Sequence, residues 1–170
     1  NILNKFVDYF VIVESKFFHN GKNRPLKFNI DKYQNFKDKI IYLTQDHQPV
    51  ELKKLDPSDD EGVKSFKLIF NAHKREHFQR NFIEKGLTTA NDNDIILISD
   101  VDEIPNLESI DIKNLNNKII LFEQAIFYYK LNRYLPNFKW YGTKACKKKH
   151  LESPQWLRSI KNKKYSFFRL

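Results

Sequence analysis

Residues 95–105 read Ile-Ile-Leu-Ile-Ser-Asp-Val-Asp-Glu-Ile-Pro, and this stretch decides which fold we expect for the chain. Its opening residues are apolar and uncharged, which is typical of a strand buried on both faces inside a parallel sheet. Three carboxylates follow, those of Asp100, Asp102 and Glu103. Pro105 then ends the strand, because proline has no N–H to donate to a neighbouring strand. Ligands of open α/β sheets bind outside the carboxyl ends of the strands, so a functional site is expected at these acids.

The composition limits the classes of protein to which the chain can belong. Its 170 residues suit one domain with a proper core, and we predict a single domain over residues 1–170. One cysteine, Cys146, excludes an internal disulfide and a zinc site built from several thiolates. No apolar run approaches the ~20 residues of a membrane-spanning helix, so no membrane span is expected. Because the chain begins at Asn1 and contains no methionine, we expect it to be an internal piece of a longer protein.

The net charge of +9 favours acidic partners. The lysines are nevertheless scattered along the chain, and aromatic side chains do not alternate with them regularly, as they do in tracks that bind nucleic acid. Nucleic acid is therefore not an expected partner.

The order of the predicted elements indicates an α/β fold. Strands are predicted where short apolar runs occur, at residues 7–14, 40–44, 95–98 and 119–129. A helix is predicted from its cap at Asn71 to about Lys85, followed by Gly86. Glu76 and Arg80 are four residues apart on this helix and form a favourable ion pair. Loops are predicted at residues 140–143 and 153–154. Strands that alternate with helices in this way indicate an α/β layer arrangement.

The acids at residues 100–103 allow several interpretations. An aspartate at the end of a strand can simply cap the next turn, but three neighbouring carboxylates repel one another, and a bound cation removes that repulsion. A phosphatase of the haloacid dehalogenase type also has Asp-x-Asp after an apolar strand. That family needs a flexible flap where Pro105 follows Ile104, and a later acidic pair, whereas Asp59 and Asp60 lie upstream.

A second candidate metal site is the H-x-x-E-H pattern of inverted zinc peptidases, formed by His73, Glu76 and His77. The two histidines share one face of the predicted helix, as two zinc ligands must. Lys74 and Arg75 add positive charge beside them, and no helix with a third ligand follows. Two partly exposed histidines are the simpler interpretation.

A metal-dependent nucleotide-sugar transferase is the remaining interpretation of the acids. Such an enzyme must neutralise a leaving diphosphate, and Mn²⁺ or Mg²⁺ held by carboxylates does so as a Lewis acid. Side chains two apart on an extended segment point the same way, so Asp100 and Asp102 are expected to converge on one ion. Nearby arginines would supply the remaining positive charge.

Several segments of the chain are similar, in the same order, to segments of one known family. They are residues 7–15, residue 21 with residues 25–28, residues 75–81 with 86–87, residues 94–105, and residues 140–143 with Pro154 and Arg158. Residues 94–105 match the family's segment Asp-Asp-Ile-Ile-Leu-Ile-Ser-Asp-Val-Asp-Glu-Ile-Pro almost letter for letter. On these segments the chain resembles glycosyltransferase family 17.

The resemblance implies a GT-A-like fold, in which a mostly parallel central sheet is flanked by helices, here incomplete at both ends. It implies a UDP-sugar donor (UDP-GlcNAc), a glycan or glycoprotein acceptor, a Mn²⁺ or Mg²⁺ cofactor and inversion at the anomeric carbon. Carried onto this chain, Asp100 and Asp102 would hold the metal and the donor diphosphate, with Asp102 as the direct ligand. Further donor contacts would come from Glu14, Ser15, Arg75 and Arg80. For the two arginines, a surface ion pair is the alternative role.

Two further roles stay open within this resemblance. Inversion needs a general base for the acceptor hydroxyl, and Glu103 and Glu123 are the available acids. The acceptor would contact aromatic side chains, for which Tyr128 and Trp140 are the candidates. Family members usually continue into a Gly-Gly-Trp-His segment that residues 1–170 lack, so we expect these residues alone to bind the donor weakly. The main alternative from another class is a non-catalytic domain that binds carbohydrate or polyanions through its basic charge and these aromatic rings.

Overall fold

A computed structural model of the chain describes residues 2–114, 116–129 and 133–162. The chain divides into two compact units, Asn1–Thr89 and Ala90–Leu170, which are described one at a time. Together they contain short strands and helices, so the chain is a mixed α/β fold. The single domain over residues 1–170 stays a prediction.

The first unit contains a parallel pair of strands, β1 (Phe10–Ser15) and β2 (Ile40–Gln45). They pair in register from Phe10 with Ile40 to Ser15 with Gln45. The strand predicted at 40–44 is confirmed, and the one predicted at 7–14 begins three residues later than expected. Because the strands are parallel, the loops that follow them leave from the same edge, where ligands of α/β sheets bind.

Helix α1 (Glu61–Asn81) packs in the same unit, and its predicted cap, Asn71, is wrong by eleven residues. The true cap is Asp60, whose carboxylate accepts the Val63 N–H at 2.8 Å. Asn71 is buried in mid-helix instead, where its side-chain amide exchanges two hydrogen bonds of 2.8 Å with the backbone of Lys53. The prediction thus mistook a residue that binds a neighbouring loop for a helix cap.

The end of this helix shows why Gly86 is needed. A 3-10 segment, Phe82–Gly86, follows α1. A Cβ on Gly86 would lie 2.4 Å from Val11 Cγ1, so only glycine allows this segment to lie against β1. The predicted ion pair between Glu76 and Arg80 is confirmed, at 3.0 Å.

The second unit contains an antiparallel sheet of β3 (Ile95–Ile98), β4 (Ile119–Gln124) and β5 (Trp140–Lys147), in the order β3-β5-β4. Both pairings are antiparallel, so the mostly parallel sheet predicted around residues 95–98 is not found in this unit. Residues 140–143, predicted as a loop, open the central strand. Gly142, Thr143 and Lys144 follow one another in this strand, and all three are buried. The strand therefore lacks the alternation of apolar and polar residues that predicts a strand.

Helix α2 (Pro154–Ser159) covers this sheet. The predicted loop at 153–154 is in fact its start, since Ser153 Oγ accepts the Trp156 N–H at 3.1 Å. Leu157 is fully buried at its centre. The buried Lys144 of β5 donates to the carbonyls of Arg158 and Ile160, which are among the acceptors that a helix end leaves unpaired. None of the helices in the described ranges is long and apolar enough to cross a membrane.

Candidate functional site

The acids that follow β3 form a tight turn. Glu103 N donates to Asp100 O at 3.1 Å, and Asp100 N donates to a carboxylate oxygen of Glu103 at 3.0 Å. This reciprocal pair resembles the capping box that fixes the first turn of many helices. Residues 101 and 102 lie in a turn. The expectation that Asp100 and Asp102 lie on an extended segment, with both side chains pointing the same way, is therefore wrong.

Arg158, on α2, binds two acids of this turn. Its guanidinium lies 2.8 Å from Asp100 Oδ2 and 2.5 Å from Glu103 Oε1, and it also donates to the carbonyl of Gly142. The side chains of Arg158 and Glu103 are 12% and 7% exposed, so this ion pair is largely buried. Burial alone would lower the pKa of Arg158, but Glu103 and Asp100 hold it above its ordinary value. Arg158 therefore compensates part of the negative charge of the turn.

Gly142 leaves no room for a side chain at this corner of the sheet. A Cβ there would lie 2.5 Å from Gln124 Oε1 and 2.7 Å from the carboxyl carbon of Glu103. The same Gln124 oxygen accepts the Thr143 N–H at 2.7 Å, and Thr143 Oγ1 lies 2.7 Å from Ser99 Oγ. These hydrogen bonds join the ends of the three strands beside Glu103.

Asp102 is the acid of the turn that stays exposed to solvent. Across the described ranges, no hydrogen bond or ion pair engages its carboxylate. Nor does that part of the chain bring together three His, Cys, Asp or Glu side chains that could hold a metal ion by themselves. Mg²⁺ and similar ions, however, bind proteins through one or two carboxylates and complete their shell with waters and substrate phosphates. The exposed Asp102 carboxylate suits such an ion, and the roles of Asp102 as the direct ligand and Asp100 as a second one stay predictions.

Glu103, one of the two candidate bases, uses both oxygens of its carboxylate within the chain. Oε1 accepts from Arg158 and from the indole N–H of Trp140, the latter at 3.0 Å, while Oε2 accepts from Asp100 N. An acceptor hydroxyl would have to displace one of these donors. The contacts give Glu103 a positioning role, and its role as the base stays a prediction.

Glu123, the other candidate base, lies on β4 with half of its side chain exposed. Its carboxylate accepts from Lys139 Nζ at 2.9 Å and from the Tyr141 hydroxyl at 3.0 Å. The hydrogen bond from Lys139, with that from Tyr141, holds the pKa of Glu123 below its ordinary value. The carboxylate is therefore ionised at neutral pH and open to solvent.

Glu14, predicted to contact the donor, is buried at the end of β1. Its carboxylate accepts from Arg24 at 3.1 Å, Lys27 N at 2.8 Å, Phe28 N at 3.0 Å and the Tyr42 hydroxyl at 2.8 Å. Burial alone would raise the pKa of Glu14, but these hydrogen bonds, led by the one from Phe28 N, hold it below its ordinary value. Burial and the bond to Glu14 raise the pKa of Tyr42 to about 12. Glu14 thus anchors the loop after β1, and its contact with the donor stays a prediction.

Arg75, a second predicted donor contact, fixes the same loop from α1. It donates from Nε to Gln48 Oε1 at 2.7 Å and from Nη1 to His19 O at 3.0 Å. Gly21 has a φ of 87°, and a Cβ there would lie 2.5 Å from Arg75 Nη2. The loop therefore needs glycine at this position both for its backbone conformation and for the close approach of the guanidinium.

The remaining predicted donor residues of this unit also have partners within it. Ser15 is buried, and its hydroxyl accepts the Phe17 N–H at 3.1 Å. Arg80 is paired with Glu76. Neither side chain lines the cavity of this unit that is described next, and their donor contacts stay predictions.

A cavity of about 520 Å³ opens on the loop after β1. Its lining includes two cations and no acid, and consists of Phe18, His19, Asn20, Lys22 and Arg24. A concave, cationic surface with an aromatic ring suits an anionic ligand such as a phosphate.

The H-x-x-E-H motif lies on α1, as predicted. His73 and His77 are both exposed, and their ring centroids are 6.1 Å apart. Burial holds the pKa of His77 below its ordinary value. No third ligand joins them within the described ranges, so the zinc peptidase interpretation gains no support.

The two predicted acceptor residues lie on the connection between β4 and β5 and at its end. Tyr128 is 55% exposed and Trp140 is 39% exposed. The structure ties Trp140 to the acid turn through Glu103, whereas it places Tyr128 next to Tyr129, with ring centroids 4.3 Å apart.

The sequence alone did not point to Arg158 or Gln124 as parts of this site. Arg158 follows the acids by 58 positions, and its only signal was its place in a segment similar to the family. Three adjacent carboxylates imply a nearby cation, but the chain has 30 lysines and arginines, and nothing local selects one.

Comparison with known protein families gives one match. The model of the family described as Glycosyltransferase family 17 matches residues 1–164. No significant match is found among the curated proteins or among the solved structures. Since the family match covers nearly the whole chain, including the acid turn and Arg158, the chain belongs to glycosyltransferase family 17.

Proposed function

We propose that this chain moves N-acetylglucosamine from UDP-GlcNAc to a hydroxyl of a glycan, with inversion at the anomeric carbon and with Mn²⁺ or Mg²⁺ as cofactor. Family membership supports the coarser part, glycosyl transfer. The observation that supports the metal dependence is the Asp102 carboxylate, which is exposed in the turn after an apolar strand and, in the described ranges, lacks a protein partner. An exposed carboxylate with no protein partner in the described ranges is available to a metal ion whose shell waters and substrate phosphates complete. The donor sugar and the inversion are proposed from the resemblance to the family.

The departing diphosphate is the group that such a reaction must stabilise, and a bound divalent ion supplies Lewis-acid chemistry for it. In the proposal, Asp102 holds that ion. Arg158 keeps Asp100 in one orientation and prevents the turn from carrying three uncompensated charges.

Proton removal from the acceptor is the second task. Of the two candidate bases, Glu123 is the one open to solvent, and Lys139 keeps it ionised at neutral pH. We therefore assign Glu123 as the group that accepts the hydroxyl proton, and Glu103 as a residue that positions the acid turn.

The first unit has a cationic cavity of its own. Lys22 and Arg24 line this cavity on the loop after β1, and Arg24 is fixed by Glu14. Cationic linings of this kind bind phosphate groups.

The test is a donor assay with a matched pair of variants. Asp102→Asn should lower the rate of UDP release from UDP-GlcNAc at least about a hundredfold, a loss of the size seen when one group that stabilises developing charge is removed. Asp92→Asn, a change of another exposed aspartate of the same unit, should leave it unchanged. EDTA should abolish the activity and Mn²⁺ restore it, and Asp102→Asn should weaken Mn²⁺ binding measured by calorimetry.

The outcomes separate the classes of function. Full activity of Asp102→Asn, or activity in EDTA, would contradict the metal site at this turn. Glycan binding with no turnover of the donor under any metal would instead favour the non-catalytic carbohydrate-binding domain.

A further inference from the structure

Helix α1 carries two histidines that the proposed function does not use. His73 and His77 are four residues apart, so their side chains lie on the same face of the helix, one turn from each other. Both side chains are exposed, and their ring centroids are 6.1 Å apart. We call these two residues the histidine pair.

The distance between the two rings is close to that of two ligands of one metal ion. A Zn–N bond is about 2.1 Å long, so the centroid of a bound imidazole lies about 3.2 Å from the metal, and two such rings at a tetrahedral angle have centroids about 5 Å apart. The histidine pair exceeds this separation by about 1 Å, a difference that small rotations of two exposed side chains remove. The helix therefore supplies two nitrogen ligands without a change of its backbone.

The carboxylate of Glu76 lies beside one of the two rings. Its Oε1 accepts from Arg80 at 3.0 Å, and its Oε2 lies 3.7 Å from His73 Nδ1. A carboxylate beside one ring nitrogen is the usual neighbour of a metal-binding histidine, because it favours the proton on that nitrogen and leaves the other nitrogen for the ion. In this arrangement, Nε2 of His73 is the nitrogen available to a metal.

The cations next to the histidine pair are held by other groups. Lys74 Nζ is paired with Glu51 at 2.5 Å, and this acid compensates its charge. Arg75 donates to Gln48 Oε1 at 2.7 Å and to the carbonyl of His19 at 3.0 Å. The two cations therefore count less against a bound metal than they do in the sequence alone.

We propose that the histidine pair binds a divalent transition-metal ion of the class that prefers imidazole, which includes Zn²⁺, Ni²⁺ and Cu²⁺, with waters in the remaining coordination positions. In the part of the chain that the structure describes, no third protein ligand joins the pair, so this site differs from the three-ligand zinc site of a peptidase. The inference goes beyond the proposed function and does not rest on it, because the ion proposed at Asp102 is bound by oxygen.

The first test is calorimetric titration of the chain with Ni²⁺ at about pH 7.5, where imidazole is mostly neutral and free to bind a metal. His73→Ala and His77→Ala should each weaken binding at least about tenfold. His150→Ala, which changes a histidine of the second unit, should leave the affinity unchanged, as should Asp102→Asn. Undiminished binding by the double variant that lacks both histidines of the pair, or an equal loss in His150→Ala, would overturn the site.

The choice of metal provides the second test. Nitrogen ligands should bind Cu²⁺ more tightly than Ni²⁺ or Zn²⁺, and an excess of Mg²⁺ should not displace Ni²⁺, because Mg²⁺ prefers oxygen ligands. Displacement of Ni²⁺ by Mg²⁺ would overturn the inference, since it would indicate a site built from carboxylates.

The third test uses the stability of the fold. An ion that joins the two imidazoles binds only while α1 is helical, so saturating Ni²⁺ should raise the urea midpoint of the wild type. His77→Ala should remove this increase, and Asp102→Asn should keep it. Equal increases in wild type and His77→Ala, or no increase in the wild type, would contradict a metal held by the histidine pair.

Discussion

Replacing Arg158 by alanine tests the central contact of the site, its ion pair with Glu103. The side chain of Glu103 is 7% exposed, and removing one partner of a buried pair costs roughly 3–5 kcal/mol. Asp100 is 44% exposed, so its half of the network adds less than about 1 kcal/mol. Glu103 keeps its bonds from Trp140 and Asp100 N, which favours the low end of the range. We expect Arg158→Ala to lower the free energy of unfolding by ~3 kcal/mol, or Tm by roughly 6–12 °C for a chain of this size.

The assay is urea denaturation of a double-mutant cycle. Glu103→Gln removes the buried charge, so the double variant with Arg158→Ala should be more stable than the sum of the single losses predicts, with a coupling of about 1.5 kcal/mol or more. Arg158→Lys keeps the charge but loses the two-pronged geometry, and should lie between wild type and Arg158→Ala. A loss below about 1 kcal/mol for Arg158→Ala, together with additive single losses, would refute a buried Arg158–Glu103 pair.

Two further predictions concern positions fixed by close contact. The pKa of Glu14 lies below its ordinary value in the folded chain, so the ionised carboxylate stabilises the fold. This stabilisation is complete above the unfolded pKa of about 4.3 and is lost as the pH falls through the folded pKa. Glu14→Gln should therefore cost ~2 kcal/mol at neutral pH, because its NH2 group replaces one carboxylate oxygen and faces the donors of that oxygen, either Arg24 and Lys27 N or Phe28 N and the Tyr42 hydroxyl. The difference in stability from wild type should narrow in urea titrations below about pH 4. A gap that does not change with pH would contradict this reasoning. Gly142→Ala should displace the Glu103 carboxylate and lower Tm by several degrees. Gly62→Ala, at the exposed start of α1, should have a smaller effect, because its Cβ would lie 3.2 Å from Asp60 Oδ1 and needs only a small shift of that side chain. Equal Tm values for the two variants would contradict the tight corner.

Elements with a strong local signal were predicted well. The apolar runs of β2 and β3 read as strands because their composition alone favours extended chain, and both strands are present. The ion pair between Glu76 and Arg80 was predicted because it depends only on helical spacing. Even so, the parallel sheet predicted around β3 was wrong, because an uncharged run is compatible with parallel or antiparallel neighbours, and here β5 lies antiparallel to it.

Elements whose residue types depend on contacts with residues far away in the sequence were predicted badly. Asn71 has the chemistry of a cap, but its amide binds the backbone of Lys53. Strand β5 has no apolar alternation, because Gly142 is dictated by the space beside Glu103 and Lys144 by carbonyls at the end of α2. No pattern within a short window carries such information.

The sequence by itself determined that a short apolar strand ends in three acids, that the chain is a mixed α/β protein and that its motifs follow the order of glycosyltransferase family 17. Only the tertiary structure decided how those acids are used. It folds residues 100–103 into a turn, pairs two carboxylates with Arg158 and leaves Asp102 exposed. The reason is physical: hydrophobic pattern and spacing act over a few residues, whereas the partner of a buried charge is selected by three-dimensional proximity, here across 55 positions between Glu103 and Arg158.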